Sequence, residues 1–261
     1  MGARNIPRSP EPVRIGCAGW NIPKRSSALF GLGASHLERY SRTFNSCEIN
    51  SSFYRPHQQK TWERWASSVP AEFRFSVKAA RTITHEAKLS CNSGVLSAFL
   101  QQVAFLHDNL GPVLIQLPPS LEFDFRRASR FLSMLRENYS GDVVWEPRHR
   151  SWFVDRVNDL LKDYHIARVA ADPACVPAAG LPGGLPSLAY FRLHGAPRRY
   201  YSAYSANFLT KLSAQLVNLA TRARVWCIFD NTASGSAIQN ALALSTKFEQ
   251  SLDLTASSSP I

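Results

Sequence analysis

The sequence predicts a single-domain α/β fold, a (β/α)8 TIM barrel. Short apolar segments recur eight times, at residues 13–18, 45–50, 73–78, 112–116, 142–146, 167–171, 189–193 and 225–229. Between them lie stretches with apolar residues every three or four positions, the period of a helical face. Strands that alternate with helices imply a parallel sheet with crossover helices, and eight such units in 261 residues match a closed barrel. An open doubly wound sheet is the structural alternative. No G-x-G-x-x-G follows any of the strands, so nothing points to a dinucleotide fold.

Residues 1–12 are polar with three prolines and read as a disordered tail, with the barrel spanning 13–250. Leu96, Phe99, Leu100, Val103 and Leu106 make one helical stripe after the third strand. Phe131, Leu132 and Leu135 make the next, followed by Phe153, Val157, Leu160 and Leu161. Leu209, Leu212, Leu216 and Leu219 precede the last strand, and Ala237, Ala241 and Leu244 follow it. The segment 173–187 is rich in Pro, Gly and Ala, and is expected to form a lid or pocket wall. Residues 251–261 read as a frayed tail.

Composition narrows the classes. The chain is 45% hydrophobic and 19% charged with mixed signs, which supports a large core and argues against disorder. No apolar run approaches the ~20 residues of a membrane span. The first residues carry no signal-peptide core, and Ile6 stands where an acylation signal needs Ser or Thr. The five cysteines are odd in number and lack a C-x-x-C pair, so reduced thiols are expected. A cytoplasmic protein without a membrane partner follows. Net charge is +11 and the isoelectric point is about 9.8, which suits anionic partners. These are phosphorylated or carboxylated small molecules, or nucleic acid, although no run of five Lys/Arg marks a nucleic-acid tail.

Polar residues interrupt the strands with a period of two, which assigns them to one face. Strand two carries Glu48, with Asn50 in line; strand three carries Arg74, Ser76 and Lys78; strand four carries Gln116. Strand five carries Glu146 with Arg148 beyond it, strand seven carries Arg192 with His194, and strand eight ends at Asp230. The apolar face should meet the helices and the polar face should point into the barrel. Most of these groups lie at the C-terminal strand ends, where barrel enzymes place their chemistry. Arg74 sits early in its strand and is expected to pair with Glu48 or another acid.

Several stretches resemble a known family. They are IGCAGW at 15–20, EINSSFYR at 48–55, FSVKAARTITH at 75–85, LGPVLIQLPPS at 110–120, EPRHRSW at 146–152, YFRLHG at 190–195 and FDNTASGSAIQNALAL at 229–244. Together they resemble the YecE-like family, catalogued as a domain of unknown function. The resemblance spans nearly the whole chain. It implies a TIM barrel and supplies no activity. At strand five the family usually has E-F-R-H, whereas here Pro147 follows Glu146. Proline lacks an N–H, so the strand must end or bend there. The segments 173–187 and 197–205 look particular to this chain. A looser likeness runs to barrels of the endonuclease IV and xylose isomerase type, where strand-end carboxylates and histidines hold metals; this is analogy of fold alone.

The candidate site follows from the polar face. Glu48 and Glu146 are the expected proton-transfer pair, with His194 and Asp230 assisting. Lys78, Arg81, Arg148 and Arg192 supply cations for an anionic group. Four cations against Glu48, Glu146 and Asp230 leave a positive surplus. Asn50, Gln116 and Asn231 add hydrogen bonds, and Trp20 and Tyr54 add aromatic walls. His85 reads as a loop hydrogen-bonder, and His149 also follows a strand. Thr232 or Ser234 could cap a helix whose N-terminus would receive phosphate. A divalent metal shared by Glu48, Glu146, Asp172, His194 and Asp230 is a second chemistry, but no H-E-x-x-H supports it and no metal ligand is assigned. The leading reading is an enzyme, a hydrolase or isomerase, acting on an anionic substrate. The alternatives are a nucleic-acid-binding protein or metal-dependent phosphodiesterase, and a non-catalytic small-molecule binder.

Overall fold

Both faces of a parallel barrel strand are covered, so each strand must be buried along its length. The computed structural model describes residues 12–257 and shows this. The strands are β1 (Arg14–Ala18), β2 (Ser46–Ile49), β3 (Arg74–Lys78), β4 (Leu110–Gln116), β5 (Val143–Glu146), β6 (Ala167–Arg168), β7 (Ala170–Asp172), β8 (Gly183–Gly184), β9 (Leu188–Leu193) and β10 (Arg224–Phe229). They form one sheet in the order β7-β9-β10-β1-β2-β3-β4-β5-β6-β8. Every pairing is parallel except β6 with β8. The sixth expected strand is split at Val169: β6 pairs with β5 and β7 pairs with β9, so the chain itself closes the barrel.

The helices are α1 (His36–Ser41), α2 (Gln59–Ser67), α3 (Ser93–Ala104), α4 (Phe125–Asn138), α5 (Asp155–Asp163), α6 (Ala206–Ala220) and α7 (Ser236–Ser257). Four of them begin where a side chain satisfies an orphan N–H. Ser35, Asn92, Asp124 and Ser205 accept from the backbone N–H groups of Glu38, Val95, Arg127 and Phe208. The crossover after strand six contains no α-helix among the described residues. Its Pro- and Gly-rich chain is a poor helix former and makes a short turn at Pro177–Gly180, then pairs back antiparallel as β8 along the N-terminal half of strand six. Within residues 173–187, expected to form a lid or pocket wall, the stretch Gly183–Gly184 therefore lies along the side of the barrel against strand six.

Period-two alternation divides the core. Cys17, Cys47, Phe75, Val77, Val113, Ile115, Trp145, Phe191, Cys227 and Phe229 face outward and pack with Leu96, Val103, Phe131, Leu135, Leu161 and Leu216 of the helices. A separate inner cluster, Leu114, Val144, Ala167, Val169, Leu188, Tyr190, Trp226 and Ile228, fills the lower barrel. Each large outward side chain contributes about 1.5–3 kcal/mol by leaving water. At Gly16 a Cβ would stand 2.1 Å from the carbonyl oxygen of Ser46, so only glycine lets β1 and β2 approach so closely.

All five cysteines are free; Cys17, Cys47 and Cys227 are buried, and burial pushes the Cys17 thiol up to about 12. Arg74 does not pair with Glu48. It lies half-buried at the start of β3 and donates to the carbonyls of Ala71 and Phe73, because the barrel floor puts backbone acceptors nearer than any acid. The expected tail at 1–12 lies outside the described residues apart from Pro12. Of the segment expected to fray, α7 continues to Ser257 and the rest lies outside the described residues. Among the described residues no helix is long and apolar enough to cross a membrane.

Candidate functional site

Above the inner apolar cluster, the inward positions turn polar and meet at the C-terminal ends of the strands. β2 delivers Glu48, β3 delivers Ser76 and Lys78, β4 delivers Gln116, and β5 delivers Glu146. β9 delivers Tyr190 and Arg192, with His194 one residue past its end, and Asp230 follows β10. Four of these expected residues, Glu48, Glu146, Arg192 and His194, are essentially sealed from solvent.

Arg192 is the hub. Its Nε lies 3.0 Å from Glu48 Oε2 and its Nη2 lies 2.7 Å from Glu48 Oε1. Nη1 donates to Glu146 Oε2 at 3.2 Å, and Nη2 lies 3.0 Å from Asp230 Oδ2. Burial opposes its charge, but Asp230, Glu48 and Glu146 outweigh burial and raise its pKa well above the ordinary value. Glu48 also accepts from the Tyr190 hydroxyl at 2.9 Å, and that hydroxyl meets Ser76 Oγ at 2.8 Å. The Glu48 carboxylate is thus fully used in holding Arg192, a task for which the guanidinium fork is well shaped.

His194 stands between two carboxylates. Its Nδ1 lies 3.0 Å from Asp230 Oδ2 and its Nε2 lies 2.8 Å from Glu146 Oε1. Arg148 Nη1 reaches both Glu146 Oε1, at 2.8 Å, and His194 Nε2, at 3.0 Å. A protonated ring donates to both acids, whereas a ring neutral at Nε2 accepts from Arg148, so both states of the imidazole have partners. Burial would raise the Glu146 carboxyl, but Arg192, His194 and Arg148 hold it well below the usual range. Asp230 is likewise held down, against burial, by Arg192, His194 and Lys78. Gln116 Nε2 completes the group by donating to Glu146 Oε2 at 3.0 Å.

Lys78 differs from the other cations. The residue is 8% exposed, and its Nζ makes no hydrogen bond or ion pair among the described residues. It lies 4.1 Å from the centroid of the Phe53 ring, a cation–π contact. Burial and then Arg192 lower its pKa to about 8, with Glu48, Glu146 and Asp230 opposing in part. Lys78, Gln116, Arg148, Asp230 and Asn50 retain the little exposure the cluster has, so they form its open edge.

The remaining expected residues separate from this group. Arg81 is exposed and pairs with Glu86 at 3.3 Å, because the helical turn after β3 carries it outward. Without it, Lys78, Arg148 and Arg192 face Glu48, Glu146 and Asp230, and the expected positive surplus vanishes. Trp20 packs edge-on against Trp65 and Phe75 in the outer layer. Tyr54 is 76% exposed and covers Phe53 rather than the cluster. Asn50 stays near, 3.5 Å from Asp230 Oδ1. Asn231 is buried and donates to the Ser202 carbonyl and to Asn240 Oδ1, bracing the loop beyond His194. His85 hydrogen-bonds Thr84, and His149 meets Ser151 Oγ at 2.8 Å. Ser234 donates to the Tyr201 carbonyl.

Tyr190 was missed from the sequence, and Tyr204 and Tyr200 take fixed places beside His194. Tyr190 shares the period-two face of Arg192, a signal that was available. Tyr204 accepts from the Gly195 N–H at 2.9 Å and donates to Asp172 Oδ1 at 2.8 Å, fixing the chain beside His194. Tyr200 lies in the loop that follows His194. It holds a strained φ of +68° and sets its ring at right angles to His194, with centroids 5.8 Å apart. Among the described residues no three His, Cys, Asp or Glu side chains are grouped to hold a metal. Asp172, a ligand in the metal alternative, instead accepts from the Tyr204 hydroxyl.

The sequence model of the family "Protein of unknown function DUF72" matches residues 14–260. The chain is 29% identical over 173 residues to the UPF0759 protein YecE of Escherichia coli K12, covering 64% of this chain and 61% of that protein. It is 29% identical over 149 residues to the UPF0759 protein YunF of Bacillus subtilis, covering 54% of this chain and 52% of the relative. The chain thus spans less than two thirds of the length of these relatives. Among solved structures, a DUF72 family protein of Enterococcus faecalis superposes with a TM-score of 0.77 at 22% identity, over 91% of this chain and 96% of that one. One from Thermotoga maritima superposes with a TM-score of 0.75 at 26% identity, over 92% and 99%. The fold and the match along nearly the whole chain establish that this protein belongs to the DUF72 family.

Proposed function

We propose that the protein is an enzyme that performs acid–base chemistry on a small molecule bearing a phosphate or carboxylate. One observation carries this reading. His194 is bracketed by Asp230 at 3.0 Å and Glu146 at 2.8 Å, at the barrel end where catalysis is placed, with Arg148 against the same nitrogen. A histidine oriented by one carboxylate and facing a second group through its other nitrogen is equipped to move a proton. Arg148 at the open edge draws the anion, since Arg192 is already engaged. Glu48 becomes a positioning residue that locks Arg192, in place of the proton-transfer role expected from sequence.

The test is a thermal-shift screen against phosphorylated and carboxylated metabolites. A ligand at about one hundred times its Kd should stabilise the protein by about 2.7 kcal/mol. Arg148→Met should abolish that shift, and His194→Gln should lower turnover of the identified substrate by about a hundredfold or more. A screen without any ligand-dependent shift overturns the proposal. The net charge of +11 favours a second reading, nucleic-acid binding. Oligonucleotide affinity falling by orders of magnitude between about 50 and 200 mM salt would select it.

A further inference from the structure

Lys78 is the one cation of the cluster whose role the acid–base reading leaves open. Glu48, Glu146 and Asp230 are near enough to act on its charge, yet its Nζ contacts none of them and rests on the Phe53 ring. The groups it senses come from every side: Arg192 on β9, Glu48 on β2, Glu146 on β5, Asp230 after β10, and His85 on the turn after β3. Its backbone is fixed, because Ser52 Oγ donates to the Lys78 carbonyl at 2.7 Å and the Ala79 N–H donates to Leu114 at 2.9 Å. A lysine desolvated beside another cation is the arrangement that turns an ammonium into a usable amine.

We propose that Lys78 is a covalent nucleophile that forms an imine with the carbonyl group of an anionic aldehyde or ketone. This rests on the reading of the cluster as an acid–base site and names its substrate class. The amine lone pair forms a C–N bond to the carbonyl carbon, and the proton shed by nitrogen goes to the carbonyl oxygen. One further proton, supplied at the His194–Glu146 edge, lets that oxygen leave as water. A protonated imine remains, and no oxidant or reductant takes part. The imine withdraws electrons from the neighbouring carbon, so a proton or carbon group there becomes removable. His194 with its two carboxylates is placed to handle that proton, and Arg148 to hold the substrate's anion. The burial that loosens the Lys78 proton, with a pKa of about 8, fits this use.

The experiment is reductive trapping with cyanoborohydride, using pyruvate, glycolaldehyde phosphate and uncharged acetaldehyde as probes, followed by peptide mapping. At pH 7.5 a pKa near 8 leaves roughly a quarter of the amine unprotonated, against about a thousandth for an ordinary lysine. Lys78 should therefore label at least about tenfold faster than exposed Lys60, and its labelling should rise with a midpoint near pH 8. Lys78→Arg should remove the adduct. If that variant does not fold, the map and pH profile of the native protein decide. Labelling no faster than Lys60, or none at Lys78, overturns the proposal. If phosphate still gives a thermal shift in that case, the anion reading survives alone. If acetaldehyde labels Lys78 as fast as glycolaldehyde phosphate does, the nucleophile stands and the anion reading falls.

Discussion

Glu48→Gln tests whether the buried cluster is organised around Arg192. The substitution preserves shape and removes one charge. Glu48 accepts from Arg192 Nε at 3.0 Å, from Arg192 Nη2 at 2.7 Å and from Tyr190 at 2.9 Å. A glutamine keeps one carbonyl oxygen but turns an NH2 toward the guanidinium or the Tyr190 hydroxyl. Breaking a buried ion pair by removing one partner costs about 3–5 kcal/mol. Arg192 keeps Glu146 at 3.2 Å and Asp230 at 3.0 Å, so the lower end, about 3 kcal/mol, is expected. For a chain of this size that lowers Tm by roughly 6–12 °C. Urea unfolding by circular dichroism measures it, with an unchanged m-value as the sign of a native-state effect. A double-mutant cycle with Arg192→Met sharpens the test. Once the charge on Arg192 is gone, Glu48→Gln should cost less than it does alone, leaving a coupling of about 1–3 kcal/mol. A loss under about 1 kcal/mol, or additive losses, would refute the hub assignment.

Three further outcomes follow. Gly16→Ala should prevent normal folding or cut soluble yield sharply, because its Cβ would lie 2.1 Å from a backbone oxygen of β2; a Tm near that of the native protein contradicts the close approach. Glu146 and Asp230 have depressed folded pKa values, so the unfolded chain binds protons more readily at acid pH. Their stabilisation should be complete above the ordinary carboxylate values near about 4 and lost as pH falls through the lower folded values, and Asp230→Asn should flatten that part of an acid unfolding curve. Lys78 titrates lower when folded than its ordinary 10.5, so between about 8 and 10.5 the unfolded chain holds more protons and this residue's contribution to stability rises with pH. The stability difference between native protein and Lys78→Met should therefore change across that window and stay level below it.

The barrel, the inward face and much of the cluster follow from local rules. Strand periodicity put Glu48, Lys78, Gln116, Glu146, Arg192 and Asp230 on one face because successive side chains must alternate, and helix caps such as Ser35 and Asp124 act within four residues. What periodicity could not say is which inward groups touch. Arg192 joins three acids carried by three other strands, and only barrel closure sets those distances. Arg81 lies three residues past Lys78, yet the turn after β3 rotates it to solvent. Trp20 and Tyr54 follow strands in the same way and end against Phe75 and Phe53. The segment 173–187 could not be placed from composition, because its pairing with strand six is a contact between backbones and leaves little side-chain pattern. The sequence by itself determined the fold class and the set of polar groups available. Tertiary structure alone decided their pairings, and with them which cation makes no ion pair among the described residues, since a side chain's charge state and partners depend on neighbours that lie far away along the chain.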